Sequence, residues 1–260
     1  MIKKIVLLTS LICPACALFT ARGPVSLQPK FSVGEARPLR VVASETWSGP
    51  LASERQSYDM TMRMRIAELF DGAPLTVEFT EVNGPQVLSS IVGGVETETE
   101  RRENRDGTIT ARVDANTLIH DARDLGHLSD DILLIFPPGP CFGFVPPPAG
   151  KARMGDAWPS GDIVPAGPRT IKKGQIKFSG ARGEFKLEEI RESAAAISWN
   201  GSADVSFDNR GFRREGKAEW SRHIVYDLKK RMFRENSGIM TITLPEGMEI
   251  VMNVSIKMGK

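Results

Sequence analysis

The chain has 260 residues, with 34 Lys and Arg against 32 Asp and Glu, for a formal charge of +2. Lys3 and Lys4 supply that excess, so the remainder is close to neutral and lacks the basic surplus of a nucleic-acid-binding domain. Cys13, Cys16 and Cys141 are the only cysteines, which excludes zinc sites built on cysteine pairs and any internal disulfide framework once the first two are removed.

The N-terminus carries Lys3 and Lys4, an apolar run from Ile5 to Ile12, and Ala15-Cys16-Ala17. A basic start, a short hydrophobic stretch and alternating small residues predict a signal peptide over residues 1–17, with cleavage after Ala17. The run falls well below the ~20 apolar residues of a membrane-spanning helix, so no transmembrane segment is expected after it. Lipid attachment at Cys16 is the alternative fate of this segment. The chain is therefore expected to be exported, periplasmic or extracellular.

Downstream the sequence repeats itself. Lys30-Phe31-Ser32-Val33-Gly34-Glu35-Ala36-Arg37-Pro38 matches Lys151-Ala152-Arg153-Met154-Gly155-Asp156-Ala157-Trp158-Pro159 at an offset of 121, the distance from Lys30 to Lys151. Glu68-Leu69 with Ala73 matches Glu189-Ile190 with Ala194 at the same offset. Two matches at one offset predict two related halves, 25–135 and 150–260. Residues 136–149 join them. Six prolines from Pro137 to Pro148 forbid a regular helix or central strand there. The large side chains Phe136, Phe142, Phe144 and Val145 predict a rigid connector packed over an apolar surface.

Within the halves the dominant period is two. Tyr58, Met60, Met62, Met64 and Ile66 alternate with Asp59, Thr61, Arg63 and Arg65, which predicts a strand wet on one face. Asp71-Gly72-Ala73-Pro74 then supplies a turn, and Leu75, Val77 and Phe79 continue the alternation. In the second half, 176–178, 184–190, 195–199 and 216–226 read as strands broken by Gly, Asn and Asp. Leu118, Ile119, Ala122, Leu125 and Leu128 fall at helical spacing, which predicts a small helical insert near 115–135. The fold class is mostly β: two related antiparallel β-rich halves with that insert.

The closing stretch from Gly238 to Met258 predicts a hairpin around Pro245-Glu246-Gly247, with glycine at a left-handed position. In this register Leu244 faces Met248, Ile242 faces Ile250 and Met240 faces Met252. A one-residue slip would bury the threonines, so the pairing is well determined. A transmembrane barrel is disfavoured: the chain closes on Lys257-Met258-Gly259-Lys260 without a terminal aromatic and shows no long regular strand series.

No catalytic motif is present, neither a Gly-x-Ser-x-Gly elbow nor His-Glu-x-x-His nor a phosphate loop. His120 and His127 share a helical spacing but lack a third metal ligand, and Asp121, Asp124, Asp130 and Asp131 lack the pattern of a calcium loop. Lys229-Lys230-Arg231 reads as a solvated turn. No catalytic residue, metal or cofactor is expected. Eight of the ten methionines fall in three segments. Unbranched thioethers adapt to ligands of varied shape, so Met60, Met62, Met64, Met240, Met248 and Met252, with Phe142 and Phe144 of the connector, are the candidate ligand-binding residues.

The Val33-Gly34-Glu35 and Met154-Gly155-Asp156-Ala157-Trp158 segments, the Phe136-Pro137-Pro138 junction and the run from Tyr226-Asp227 to Met258 resemble uncharacterised exported bacterial proteins built from two repeats. A curved β-sheet with a helical plug is also similar in architecture to the periplasmic lipoprotein-carrier fold, a likeness of fold that does not carry function. The expected function is a non-enzymatic exported β-protein that binds an apolar ligand, such as a lipid or peptide, or an envelope protein partner. The alternatives are a structural envelope protein with closed cores and a hydrolase with an unrecognised carboxylate site; Glu68 and Glu189 occupy equivalent repeat positions, which need not approach each other.

Overall fold

The structure is a computed structural model that describes residues 23–70, 73–92, 95–105, 109–113, 119–123, 148, 150–160, 169–171 and 174–259. The predicted signal 1–17, Cys141, Phe142, Phe144 and nearly all of the connector lie outside the described residues. The first half contributes β1 (Val25–Ser26), β2 (Ala36–Ser48), β3 (Ala52–Phe70), β4 (Ala73–Val92), β5 (Val95–Arg105), β6 (Ile109–Val113) and β7 (Ile119–Arg123). The second contributes β8 (Lys151–Ala152), β9 (Ala157–Pro159), β10 (Arg169–Ile171), β11 (Gly174–Ile190), β12 (Ala194–Asn209), β13 (Phe212–Asp227), β14 (Met232–Leu244) and β15 (Met248–Met258).

Thirteen strands form one antiparallel sheet in the order β10-β11-β12-β13-β14-β15-β2-β3-β4-β6-β7, with β5 also on β4 and β9 also on β11. β1 and β8 pair separately. The halves meet where β15 pairs with β2, from Met258↔Leu39 to Glu249↔Ser48. The C-terminal hairpin has the predicted register, Leu244↔Met248, Ile242↔Ile250 and Met240↔Met252, and its loop has positive φ at Glu246 (62°) and Gly247 (71°).

Two expectations are corrected. Residues 119–123 are strand β7, not helix, because pairing with β6 (Ala111↔Ala122, Arg112↔Asp121) outweighs a helical spacing built on only a few apolar residues. The rest of the proposed insert lies outside the described residues. Long regular strands are also present, for the short segments read in the second half are parts of longer ones: 176–178 and 184–190 both belong to β11. The outer face of the sheet is nonetheless unlike that of a membrane barrel. On β13, Ala218, Trp220, Ile224 and Tyr226 are buried while Arg213, Glu215, Lys217 and Glu219 face outward. This is the reverse of a lipid-facing band.

The two halves share backbone detail at the offset of 121. Gly34 N–H donates to the Ile66 carbonyl at 2.8 Å, and Gly155 N–H to the Leu187 carbonyl at 2.7 Å. Glu35 N–H donates to Ser32 as Asp156 N–H does to Arg153. Ala36↔Arg65 and Arg37↔Met64 recur as Ala157↔Lys186 and Trp158↔Phe185. Both long strands carry a register shift at the same place, between Ile66 and Glu68 and between Leu187 and Glu189.

A single core occupies the inner face of the sheet. Trp47 on β2 and Phe207 on β12 have ring centroids 5.6 Å apart, although four strand steps separate them, which on a flat sheet span roughly 19 Å. The sheet therefore curls until its inner faces meet. At one end Leu27 is buried, Lys30 N–H donates to the Arg231 carbonyl at 2.9 Å, and Arg231 Nε donates to the Gln28 carbonyl at 3.0 Å. The segment after β1 is thereby tied to the β13–β14 turn.

Candidate functional site

Cross-strand register places one row of residues across seven strands of the inner face. It runs Gly183↔Gly201 and Gly201↔Trp220, then Trp220↔Met240 and Met240↔Met252, then Met252↔Glu45 and Glu45↔Gln56. The row crosses the seam between the halves at Met252↔Glu45. It begins with glycines, passes through an indole and two thioethers, and ends on a carboxyl and an amide.

The glycines are explained by what covers them. A Cβ on Gly201 would lie 2.3 Å from the Trp220 ring, and one on Gly183 would lie 2.9 Å from Trp199 Nε1 and 2.5 Å from Ser160 Oγ. Each glycine loses strand stability, but here it lets a neighbouring indole lie flat on the backbone. The indoles belong to a continuous stack. Trp158 and Phe185 are 5.7 Å apart, Phe185 and Trp199 5.4 Å, and Trp199 and Trp220 5.6 Å. The Arg222 guanidinium carbon sits 5.4 Å from the Trp199 ring centroid, a cation–π geometry. Gly238, opposite Arg222, leaves room for its side chain.

Within this interior Trp199 Nε1, Trp220 Nε1 and the Tyr226 hydroxyl are buried and have no hydrogen-bond partner among the described residues. Indole nitrogen only donates. Burial raises the Tyr226 phenol well above its ordinary range, Asp227 adds to that and Arg231 opposes it, so the phenol stays protonated and also donates. On the first-half side, the Trp47 indole donates to Glu45, and the Tyr58 hydroxyl donates to Gln56 Oε1 at 2.7 Å. Asn236 is also fully buried.

Of the predicted ligand-binding residues, Met60, Met62, Met64, Met240 and Met252 all lie buried on the inner face, and Met248 packs partly buried against it. The curl gathers the two methionine groups into one core. Met240 and Met252 are 0% exposed. Phe142 and Phe144 lie outside the described residues. Glu68 and Glu189 are both on the outer side: Glu68 accepts from the Thr76 hydroxyl at 2.8 Å, and Glu189 pairs with Arg191 at 2.8 Å. They sit on strands six steps apart and form no shared site. His223 faces outward between Ser198 and Ser237. His127 lies outside the described residues. The basic cluster is a turn, in which Asp227 Oδ1 accepts from the N–H groups of Lys229 and Lys230.

No family model and no curated protein matches the chain. Among solved structures it is similar to DynF from the dynemicin biosynthesis pathway of Micromonospora chersina, at 10% identity over 92% of this chain and 86% of that one. The TM-score is 0.26.

Sequence reasoning missed Glu45, Arg222 and the indole stack. The signal was present. Period two places Arg222 on the same face as Trp220 and Ile224, and Glu45 on the same face as Ala43 and Trp47. A charge at an apolar parity position marks a buried polar group.

Proposed function

We propose that the chain is an exported, non-catalytic binding protein that holds an apolar ligand against the inner face of its curled sheet. The observation carrying this reading is the set of three buried donors, Trp199 Nε1, Trp220 Nε1 and Tyr226 OH, without partners among the described residues. Each unmatched donor costs about 1–3 kcal/mol, a cost that phenylalanine at the same positions would avoid. A ligand acceptor would offset that cost. The adjacent methionines supply adaptable apolar surface. Export rests on the composition of residues 1–17, and the matched backbone details of the halves support an ancestral duplication.

The second reading is a structural envelope protein with a closed core, favoured by the complete burial of Met240, Met252 and Ile242. Native mass spectrometry of protein purified from its envelope fraction separates the two. Binding predicts a mass increment that is lost on organic extraction and restored by apolar probes. A bare polypeptide mass, with no uptake of any apolar probe, would leave the structural reading standing.

A further inference from the structure

We propose that the end of the sheet carrying Lys30, Lys151, Lys229 and Lys230 docks on an anionic phospholipid surface. This surface lies outside the core and does not depend on the ligand reading above. Three chain segments are joined there. Ser26 pairs with Lys151. Lys30 N–H donates to the Arg231 carbonyl at 2.9 Å, and Arg231 Nε donates back to the Gln28 carbonyl at 3.0 Å. Lysines far apart in the sequence are thereby brought to one end of the molecule.

The charge left over at this end is positive. All four lysines are exposed, and none has a carboxylate at ion-pairing distance among the described residues. Acids around them are engaged: Glu35 pairs with Arg37, Glu189 with Arg191 and Glu235 with Lys257. Asp156 and Asp227 accept from backbone N–H groups of their own turns. Each cation brought to an anionic leaflet raises partitioning about fivefold, an attraction that decays within a Debye length.

Each half adds an apolar tip beside its lysine. Val33 follows Lys30 and Met154 follows Lys151 at the same spacing, and the two are 61% and 57% exposed. A single exposed apolar side chain is ordinary. Here lysine and apolar tip recur together in both halves, on turns bonded to Ile66 and Leu187 near the ends of β3 and β11. Those strands run towards the same end as β13, so both tips lie at the rim that bears the β13–β14 turn. A bilayer interface takes this combination, a cation at the phosphates and an apolar side chain at the acyl boundary. A soluble polyanion would use the lysines but not the tips. At the opposite end Leu51 and Val95 are more exposed, 88% and 66%, but Val95 is followed by the exposed acids Glu96 and Glu98, whose sign an anionic leaflet repels. The chain also enters the described structure at the basic end, through Gly23 just before β1.

The test is co-sedimentation with vesicles of phosphatidylglycerol or of phosphatidylcholine, at low and at high salt. It uses the chain from Leu18, which retains every described residue and lacks the apolar run that would itself bind lipid. Phosphatidylglycerol vesicles should bind at least about tenfold more tightly than phosphatidylcholine at low salt, with the difference lost at high salt. Lys229→Gln/Lys230→Gln and Lys30→Gln/Lys151→Gln should each weaken binding about tenfold or more, and Val33→Ser/Met154→Ser about threefold or more. Leu51→Ser/Val95→Ser, at the opposite end, should leave it unchanged. All these positions are exposed, and near-ultraviolet dichroism checks that each variant keeps its core. Absence of vesicle binding, or equal binding to both lipids, overturns the proposal. Loss of binding in the Leu51→Ser/Val95→Ser variant moves the contact to the opposite end and overturns it too. Retention on heparin without vesicle binding would assign the lysines to a soluble polyanion instead.

Discussion

The same backbone pair is filled in two ways in the two halves. Arg37↔Met64 in the first half and Trp158↔Phe185 in the second occupy identical places in the repeat. In the first, Arg37 reaches across to Met258 Sδ at 3.6 Å, and Met64 joins Met60 and Met62 in an adaptable thioether strip. In the second, the two rings stack at 5.7 Å with 21° between their planes, and the stack continues through Trp199 to Trp220. The register is carried by backbone features common to both: the turn at Gly34 or Gly155, the pairing of the residues that follow it and the shift near Glu68 or Glu189. The filling at this position has been free to diverge, to a thioether beside a guanidinium in one half and to stacked rings in the other. The halves meet along the β15–β2 seam.

The sharpest way to break this comparison is truncation at the equivalent core positions. Phe185→Ala should cost about 3–5 kcal/mol and Met64→Ala about 2–4 kcal/mol in urea unfolding, with the phenylalanine change the larger. If the two halves share one cooperative core without direct contact between these sites, the double variant should be additive within about 0.5 kcal/mol. Next in size, Gly201→Ala should cost about 2–3 kcal/mol, because the new methyl meets the Trp220 ring at 2.3 Å and the Arg182 carbonyl at 2.5 Å. Thermal denaturation with near-ultraviolet dichroism would register both the loss and the displaced indole.

Gly34→Ala and Gly155→Ala sharpen the comparison from the other side. Both glycines have positive φ, 80° and 90°, with open space around the missing Cβ. Each substitution should therefore cost only the backbone term, about 1–2 kcal/mol. The two values should agree within about 0.5 kcal/mol if the turns do the same work in each half. The smallest effect belongs to a pair found only on the outer face of the first half. Arg40 holds Asp59 through hydrogen bonds at 2.9 and 2.7 Å. Donation from Arg40 keeps the Asp59 carboxyl below its ordinary value, against a smaller opposing effect of desolvation. Because the folded-state value is lowered, this contribution is present above the unfolded-state value and lost as pH falls through the folded one. The pair is exposed, so Asp59→Asn should cost less than about 1 kcal/mol at neutral pH and less still in high salt. Denaturant titrations at two pH values and two salt concentrations measure it.

Much of the fold was legible locally. The parity of Tyr58 to Ile66 and the Pro245-Glu246-Gly247 loop fix strand faces and one register from neighbouring residues alone, since alternation and turn chemistry act over short distances. The offset between Lys30 and Lys151 exposed the two-part arrangement. The β15–β2 seam was not legible, because no local property of Leu39 or Met258 announces a partner more than two hundred positions away. The strand at Ile119–Arg123 was misread for the same reason: its pairing with β6 is a tertiary event that a helical spacing of a few residues cannot weigh. The candidate site was half legible. The methionines were named from their spacing, whereas the indole stack depends on Gly201 standing opposite Trp220 and on Gly183 lying beside Trp199 Nε1, which only the tertiary structure reveals.

The seam also dictates an order of events during folding. Leu39 pairs with Met258, so one edge of β2 stays unsatisfied until the chain has been synthesised through residue 258. Local hairpins such as β14–β15 form early, but the sheet becomes continuous only when its last long strand finds its first. Closing so long a loop is slow, and until then β2 presents an open edge to other chains. The step that completes the core is therefore also the step most exposed to misassembly.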